Sequence, residues 1–272
     1  MRLERISLDA ALRSSGLAAF RFPRADGIRD GNAPLAVLSL REAGSMLFRH
    51  GAANPAREAF FRSLGVAGSR VAAVELVHSK DVLWPEGVPE LDGRSADGLV
   101  VRNRDLVPSV TVADCMPIWI YHEDSGAFGV LHSGWKGTGI LARAVEDFRL
   151  RLGAEPARLS VILGPAIGSC CYAVDEARAR SFAAEYGPAA GYLAGDGSWR
   201  VDLVEANLAI ARRTGIGSAL VVDACTSCDG RLGSNRREGA AGGKAPRAEL
   251  PCEPGFTRML ACVGHFPALE DA

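Results

Sequence analysis

The stretch from Val71 to His132 is the most constraining feature of this chain. Five short runs rich in β-branched, aliphatic and aromatic residues follow one another there, with no helical periodicity between them: VAAVELVH (71–78), DGLVV (97–101), SVTVAD (109–114), PIWIY (117–121) and AFGVLH (127–132). Each reads as a strand. Beyond them the pattern changes. Gly137–Leu152 places Ile140, Leu141, Ala144, Val145, Phe148 and Leu152 at helical spacing. A strand, RLSVILGP, comes next, then a helix over Asp175–Tyr186 and another from Asp202, where Glu205 completes a capping-box pattern ahead of ANLAIARRTG. SALVVDA and TRMLACVGH read as further strands. Upstream, Asn54-Pro55 opens a helix, with Asn as N-cap and Pro at the first helical position. Strands without helices between them, joined to alternating helices and strands, predict a mixed α/β sheet rather than a doubly wound one. Cys225–Pro254, rich in Gly, Arg and Cys, reads as a long loop of the kind that carries function.

Composition narrows the function. The 272 residues hold 31 Lys+Arg against 32 Asp+Glu, a formal net charge of -1, and phosphate backbones are gripped by clustered surplus positive charge. Nucleic acid is therefore not the expected partner. The most apolar stretches, around Val110–Tyr121 and Val161–Val174, are broken by Asp114, Pro117, Pro165 and glycines, short of the ~20 apolar residues a spanning helix needs. The first residues, MRLERISLDAALRSSGLAAF, lack the apolar core of a secretory signal, so a cytoplasmic location is expected. No repeat or long linker divides the chain, which predicts one domain. Seven cysteines, an odd number at irregular spacing, read as reduced thiols serving as metal ligands, nucleophiles or core residues.

Three candidates for chemistry sit at strand ends. His78 closes one run, Cys115 follows SVTVAD directly, and His132 closes AFGVLH before the turn Ser133-Gly134-Trp135-Lys136-Gly137. Two imidazoles and a thiolate suit zinc with a fourth position left open, the arrangement of a catalytic site. The same residues also fit core packing, and Cys115 with His132 fits a cysteine nucleophile and its base. Asp114 reads as a general base, as a partner orienting a ligand histidine, or as a turn residue. Asp97, in Asp-Gly, reads as a turn residue without a catalytic role. Adjacent Cys170 and Cys171 point to opposite sides on an extended chain, which predicts core filling rather than shared ligation. Cys225-Thr226-Ser227-Cys228 is a C-x-x-C half-site for which Cys252 and Cys262 are the candidate partners.

The words around these residues carry a resemblance. LVH (76–78), ADGLVV (96–101), TVADCMP (111–117), HSGWKG (132–137), LGPAIGSCCYAV (163–174), CT (225–226) and SNRR (234–237) occur in the order found in the laccase-domain family, also called the polyphenol-oxidase or peptidoglycan-editing-factor family. The resemblance spans about residues 45–240. It implies a compact α/β sandwich related to bacterial-toxin cysteine hydrolases, with 45–272 as the catalytic domain and 1–44 packed on it. It also implies one zinc per chain on His78, Cys115 and His132. The implied activity is phosphorolysis of adenosine, inosine, guanosine or methylthioadenosine to free base and ribose 1-phosphate, with adenosine deamination a further attributed activity. Partners are then a purine nucleoside and phosphate, with no nucleic acid and no membrane, and the oligomeric state is open. For phosphate, Arg49, Arg236 and Arg237 are candidates by their guanidinium forks, with Lys136 as a point charge. Tyr172 is a candidate wall residue.

The chain departs from the family's words at Leu76, where Gln is usual, at Ser133 and Lys136, where Ala and Arg are usual, and at Ala173 and Asn235, where Glu and Tyr are usual. Those changes fall on the substrate wall and spare the three ligands. Two rivals follow: a Cys115/His132 hydrolase acting on peptidoglycan precursors, and a non-catalytic metal- or nucleotide-binding protein. Copper-dependent phenol oxidation ranks last, because three ligands from one short site cannot build a multicopper cluster.

Overall fold

In the computed structural model the described residues are 1–24, 32–241 and 256–270. Among them the strands run β1 (Arg2–Ser7), β2 (Leu12–Ser14), β3 (Leu17–Arg21), β4 (Leu35–Ser39), β5 (Val71–Ala73), β6 (Val82–Leu83), β7 (Gly98–Val101), β8 (Val107–Val112), β9 (Met116–His122), β10 (Phe128–Ser133), β11 (Leu159–Leu163), β12 (Ala173–Val174), β13 (Gly191–Leu193), β14 (Trp199–Val201), β15 (Ser218–Asp223) and β16 (Met259–Gly264). The α-helices are α1 (Pro55–Ser63), α2 (Ile140–Leu152), α3 (Glu176–Tyr186), α4 (Leu203–Thr214), α5 (Asn235–Ala241) and α6 (Pro267–Glu270). None of the described helices is long and apolar enough to cross a membrane.

Two large sheets carry the fold, ordered β1-β15-β11-β9-β10-β7-β6 and β2-β3-β4-β16-β8-β5, with a small β12-β14-β13 sheet beside them. The first is mixed: β1, β15 and β11 run parallel, β9 and β10 antiparallel to their neighbours, and β6 parallel to β7. This is the mixed α/β architecture expected from the strand-rich first half and the alternating second half. Residues 1–44, in which no strand was anticipated, supply β1 to the first sheet and β2–β4 to the second.

Period-two alternation builds the layers. Along β9, Ile118 and Ile120 face α2 and α4, where they join Ile140, Leu141, Phe148 and Ile210. Trp119 and Tyr121 face the second sheet and pack with Phe20, Val110, Phe128 and Ala261. Trp119 meets that sheet with a polar atom as well, its Nε1–H donating to the Cys262 carbonyl at 2.8 Å. The outer face of the second sheet is covered by α1 through Phe60 and Phe61. Helix caps agree with their sequence signals: Asn54 Oδ1 accepts from the Arg57 N–H at 3.1 Å, and Asp202 Oδ1 from the Glu205 N–H at 3.0 Å.

Two expectations need correction. The run 71–78 forms a strand only over Val71–Ala73, because the backbone N–H groups of Val77, His78 and Ser79 turn to a side-chain carboxylate instead of a ladder partner. The expected loop after Cys225 contains a helix, α5, whose first turn sits on Asp114 through the Arg236 N–H. Its stretch from 242 to 255, Cys252 included, lies outside the described residues.

Candidate metal centre

The strand register assembles the three donors. β9 and β10 pair with Pro117 opposite His132 and Met116 opposite Ser133, so Cys115, just ahead of β9, arrives beside His132. Gly98 of β7 lies opposite Leu131, which places Asp97 next to His132 on its other flank, and the His132 N–H donates to the Asp97 carbonyl at 2.7 Å. The donor atoms of His78, Cys115 and His132 all lie within 4.8 Å of one another. The two imidazoles meet edge to face, with ring centroids 5.0 Å apart. His132 is buried and His78 exposed, so the group opens to solvent on the His78 side.

Asp97 is the residue that sequence reasoning missed. It is fully buried, and its carboxylate accepts from the N–H groups of Val77 (3.3 Å), His78 (3.0 Å) and Ser79 (2.6 Å), from the Ser79 hydroxyl (2.9 Å) and from His132 Nδ1 (2.8 Å). A carboxylate on Nδ1 fixes the tautomer and leaves Nε2 as the lone-pair donor. The Asp-Gly signal misleads here: Asp97 sits at a bend that leads straight into β7 rather than in a turn, and its carboxylate holds both histidines of the candidate centre, one through its ring and the other through its backbone. Burial opposes ionisation of Asp97, yet the hydrogen bonds from His132 and Ser79 hold its carboxyl below the ordinary range.

Electrostatics couples the thiol to the buried imidazole. Burial alone would push the Cys115 thiol up, but the His132 charge and hydrogen bonds from His132 and His78 outweigh it and bring it down to about 7. Burial likewise disfavours the His132 imidazolium, and Cys115 with Asp97 overrides that and raises it to about 9. Without metal the two therefore lean toward a thiolate–imidazolium pair, and a metal ion would take the thiolate and displace the Nε2 proton of His132. Backbone geometry supports the same packing. His78 and Asp114 have φ values of 59° and 78°, an uncommon region for residues other than glycine. At Gly134 a Cβ would lie 2.4 Å from Cys115 Sγ, so only glycine lets the turn pass over the thiol.

The other candidates are placed differently. Asp114 does not orient a ligand histidine; one of its oxygens accepts from the Thr226 hydroxyl at 2.6 Å and the other from the Arg236 N–H at 2.6 Å, tying the 226–236 segment to the residue before Cys115. The Arg237 guanidinium is committed to the carbonyls of Thr226, Ser227, Asp229 and Leu232 and to Glu238. Arg236 is exposed, lies 5.9 Å from the Tyr172 ring centroid and donates to the Ala173 carbonyl at 3.3 Å. Tyr172 is half-buried near the centre; burial and then the charge of Cys115 raise its hydroxyl's pKa. Lys136 Nζ rests 5.7 Å from the centroid of the exposed Trp135 ring. Arg49 pairs with Glu75 at 3.8 Å. A cavity of about 990 Å³ beside α1, lined by Phe48, Arg57 and Leu91 among others, contains none of the three donors.

The cysteine expectations are also corrected. Residues 169–171 form a turn rather than extended chain, so Cys170 and Cys171 face the same neighbour, Cys228, with sulfur distances of 3.7 and 3.4 Å. Cys262 lies in β16, fully buried among apolar residues, and is no partner of the C-x-x-C pair.

Residues 50–247 match the family model described as multi-copper polyphenol oxidoreductase laccase. The chain belongs to that family. A purine nucleoside phosphorylase of Corynebacterium glutamicum is 31% identical over 195 residues, covering 70% of this chain and 78% of its own. Another, of Deinococcus radiodurans, is 31% identical over 183 residues, covering 67% and 70%. Among solved structures, the YfiH protein of Bacillus licheniformis superposes with a TM-score of 0.75 at 23% identity, covering 93% of this chain and 98% of its own. YlmD of Geobacillus stearothermophilus gives 0.73 at 24% identity, covering 90% and 96%. These neighbours share the mixed α/β fold.

Proposed function

We propose that the protein is a zinc-dependent purine nucleoside phosphorylase, cleaving adenosine, inosine or guanosine with phosphate to free base and ribose 1-phosphate, and methylthioadenosine to adenine and 5-methylthioribose 1-phosphate. The observation that carries this reading is the convergence of His78, Cys115 and His132 within 4.8 Å, with Asp97 locking the His132 tautomer at 2.8 Å. That donor set fits zinc: one thiolate and two imidazoles, with the exposed side left for a fourth ligand. Bound zinc supplies a Lewis acid that polarises an oxygen ligand and neutralises developing negative charge. The relatives named purine nucleoside phosphorylases supply the substrate class.

The chain's own residues bind and orient. Asp97 holds both histidines. Arg236, held by a single 3.3 Å bond to the Ala173 carbonyl, and Lys136, both exposed beside Tyr172 and Trp135 respectively, are cations that can turn to phosphate, whereas Arg237 is a brace for its loop. Tyr172 offers a ring face and a hydroxyl for base or ribose. Asp114, with both oxygens engaged, positions the 226–236 segment. The reading places the reaction in the cytoplasm, where nucleoside and phosphate are both available.

One observation favours a second reading. Asp97, His132 and Cys115 also form an acid–imidazole–thiol relay of the kind that activates a cysteine nucleophile. A relay of that kind has no need of His78, whose placement beside the other two favours the metal. Metal analysis and chromatography of adenosine and inosine incubated with and without phosphate separate the two. Free base formed only with phosphate, by protein whose zinc falls in Cys115→Ala, is the expected outcome. Free base released without phosphate, no base released with it, or full activity after chelation refutes the phosphorylase reading, whereas inosine formed from adenosine without phosphate reports the accompanying deamination. Bound zinc and nucleoside without product would make this a binding protein.

A further inference from the structure

Two turns far apart in the chain bring four thiols together at the rim of this centre. After β11, the N–H groups of Cys171 and Tyr172 both donate to the Gly168 carbonyl at 2.9 Å. After β15, the N–H groups of Cys228 and Asp229 close on the Cys225 carbonyl at 3.1 and 2.9 Å. A bridge between Ala166 and Cys225 and the Thr226 N–H on the Ala166 carbonyl at 3.0 Å hold the turns side by side. Sulfur distances are 3.8 Å for Cys170–Cys171, 3.7 Å for Cys170–Cys228 and 3.4 Å for Cys171–Cys228, and all four sulfurs lie within 4.8 Å of one another. We propose that Cys170, Cys171, Cys225 and Cys228 form a structural zinc site, separate from His78, Cys115 and His132.

The spacing suits one tetrahedral ion, with three of the six sulfur–sulfur edges between 3.4 and 3.8 Å and the three to Cys225 within 4.8 Å. Zn–S bonds of ~2.3 Å set the edge of an S4 tetrahedron at ~3.8 Å, and the distances of 3.8, 3.7 and 3.4 Å fall at or below it. A disulfide needs sulfurs ~2.05 Å apart, and the one sulfur nearest to another, Cys228, stands about equally far from two candidates. Four protein thiolates fill the coordination sphere, so the ion takes no substrate and serves the fold. Binding displaces the four thiol protons to solvent and leaves a centre of net charge −2.

The surroundings suit that charge. The Gly168 N–H donates to Cys225 Sγ at 3.2 Å, which favours the thiolate. A Cβ on Gly168 would meet Cys170 Sγ at 3.1 Å and the Cys225 Cβ at 3.2 Å, so glycine permits the close approach of the two turns. Arg200 donates to the carbonyls of Cys170 at 2.8 Å and Ser169 at 3.4 Å. Arg237 donates to those of Thr226 at 2.7 Å and Ser227 at 3.3 Å. Each turn thus carries a guanidinium on its own backbone, Arg200 paired also with Asp196 at 2.7 Å and Arg237 with Glu238 at 3.1 Å, so they brace the turns rather than neutralise the ion. The turns also carry Tyr172 and Thr226, and Thr226 in turn holds Asp114, the neighbour of Cys115. The second ion would brace one wall of the first centre.

Native mass spectrometry and elemental analysis of the full chain test the proposal, with Cys228→Ser, Cys170→Ser and Cys115→Ala variants. Two zinc ions per chain are expected in the parent, falling to one in each variant. Cobalt substitution of Cys115→Ala should show strong sulfur-to-cobalt charge-transfer absorption that Cys228→Ser lacks at that site. A parent with a single zinc that Cys115→Ala removes overturns the proposal without any folding variant of the cluster. Iron in place of zinc, or a cluster disulfide in freshly reduced and purified protein, overturns it too. Were the first centre the error, the parent would hold one zinc, kept by Cys115→Ala and lost by Cys228→Ser.

Discussion

Replacing Asp97 by Asn tests whether one buried carboxylate organises the metal centre. The substitution keeps size and shape and removes one acceptor oxygen. Two orientations of the amide are available. With its oxygen where Oδ2 sits, the NH2 faces the His78 N–H and His132 Nδ1. His132 can then accept only by moving its proton to Nε2, the atom meant for the metal. With the oxygen where Oδ1 sits, the NH2 faces the N–H groups of Val77 and Ser79, and only the Ser79 hydroxyl can rotate to compensate. Either way one or two part-buried donors lose their acceptor, each at the low end of about 1–3 kcal/mol, or roughly 1–3 kcal/mol of folding stability. The disturbed ligand should also weaken zinc binding by about 10–100-fold. Urea unfolding of chelated protein isolates the first effect, and competition with a chromophoric chelator measures the second. An Asp97→Asn protein with unchanged unfolding free energy and unchanged zinc affinity would refute the assignment of Asp97 as the shared anchor of His78 and His132.

Three further outcomes follow from the same geometry. Gly134→Ala places a methyl 2.4 Å from Cys115 Sγ; the thiol must move by about 1 Å, which should lower kcat/KM by about 100-fold while far-UV circular dichroism stays the same, and wild-type kinetics would show that the turn yields freely. Arg237→Ala leaves the carbonyls of Thr226, Asp229 and Leu232 without their donor and should destabilise the fold by about 2 kcal/mol, whereas Arg236→Ala should spare stability and raise the KM for phosphate. The opposite pattern in melting and kinetic assays would reverse the two roles. Glu238 accepts from the N–H groups of Ser234 and Thr257 at 3.1 and 2.6 Å, and although burial opposes ionisation, these bonds hold its carboxyl below the ordinary range. The stability it contributes is therefore present above the ordinary glutamate value of about 4.3 and is lost as pH falls through the lower folded value. Glu238→Gln should flatten the fall in Tm between about pH 6 and pH 3, and an acid slope equal to the parent's would count against the clamp.

What could be read in the sequence, and what could not, follows the range of the forces involved. β9 was legible because a strand buried on both faces must be apolar throughout, as Met116–His122 nearly is. α1 and α4 were legible because Asn54 and Asp202 cap through contacts three residues away. β1 was not, since its burial alternates between half-covered and exposed residues along RLERIS and its partner is β15, at the other end of the chain. The three donors were legible as residues suited to zinc, whereas their organiser was not. Asp97 looks like a turn residue because Asp-Gly is a local signal, and its five hydrogen bonds come from the 77–79 segment and from β10, which no local pattern displays. The same distinction explains the cysteines. An argument from extended chain separates Cys170 from Cys171, but the hydrogen bonds of Cys171 and Tyr172 to Gly168 curl that segment into a turn, and β15 beside β11 delivers Cys225 and Cys228 to it. Parallel neighbours end at the same edge of a sheet, so loops leaving β11 and β15 must meet. That pairing carries Tyr172, the candidate wall residue, and the buried Thr226 that holds Asp114 to the side of the centre, and the substitutions Ala173 and Asn235 lie on the same two loops. On the proposed function, substrate preference should therefore vary with the loops while the β8–β9 turn, the end of β10 and the 77–79 segment hold the candidate donors Cys115, His132 and His78 fixed.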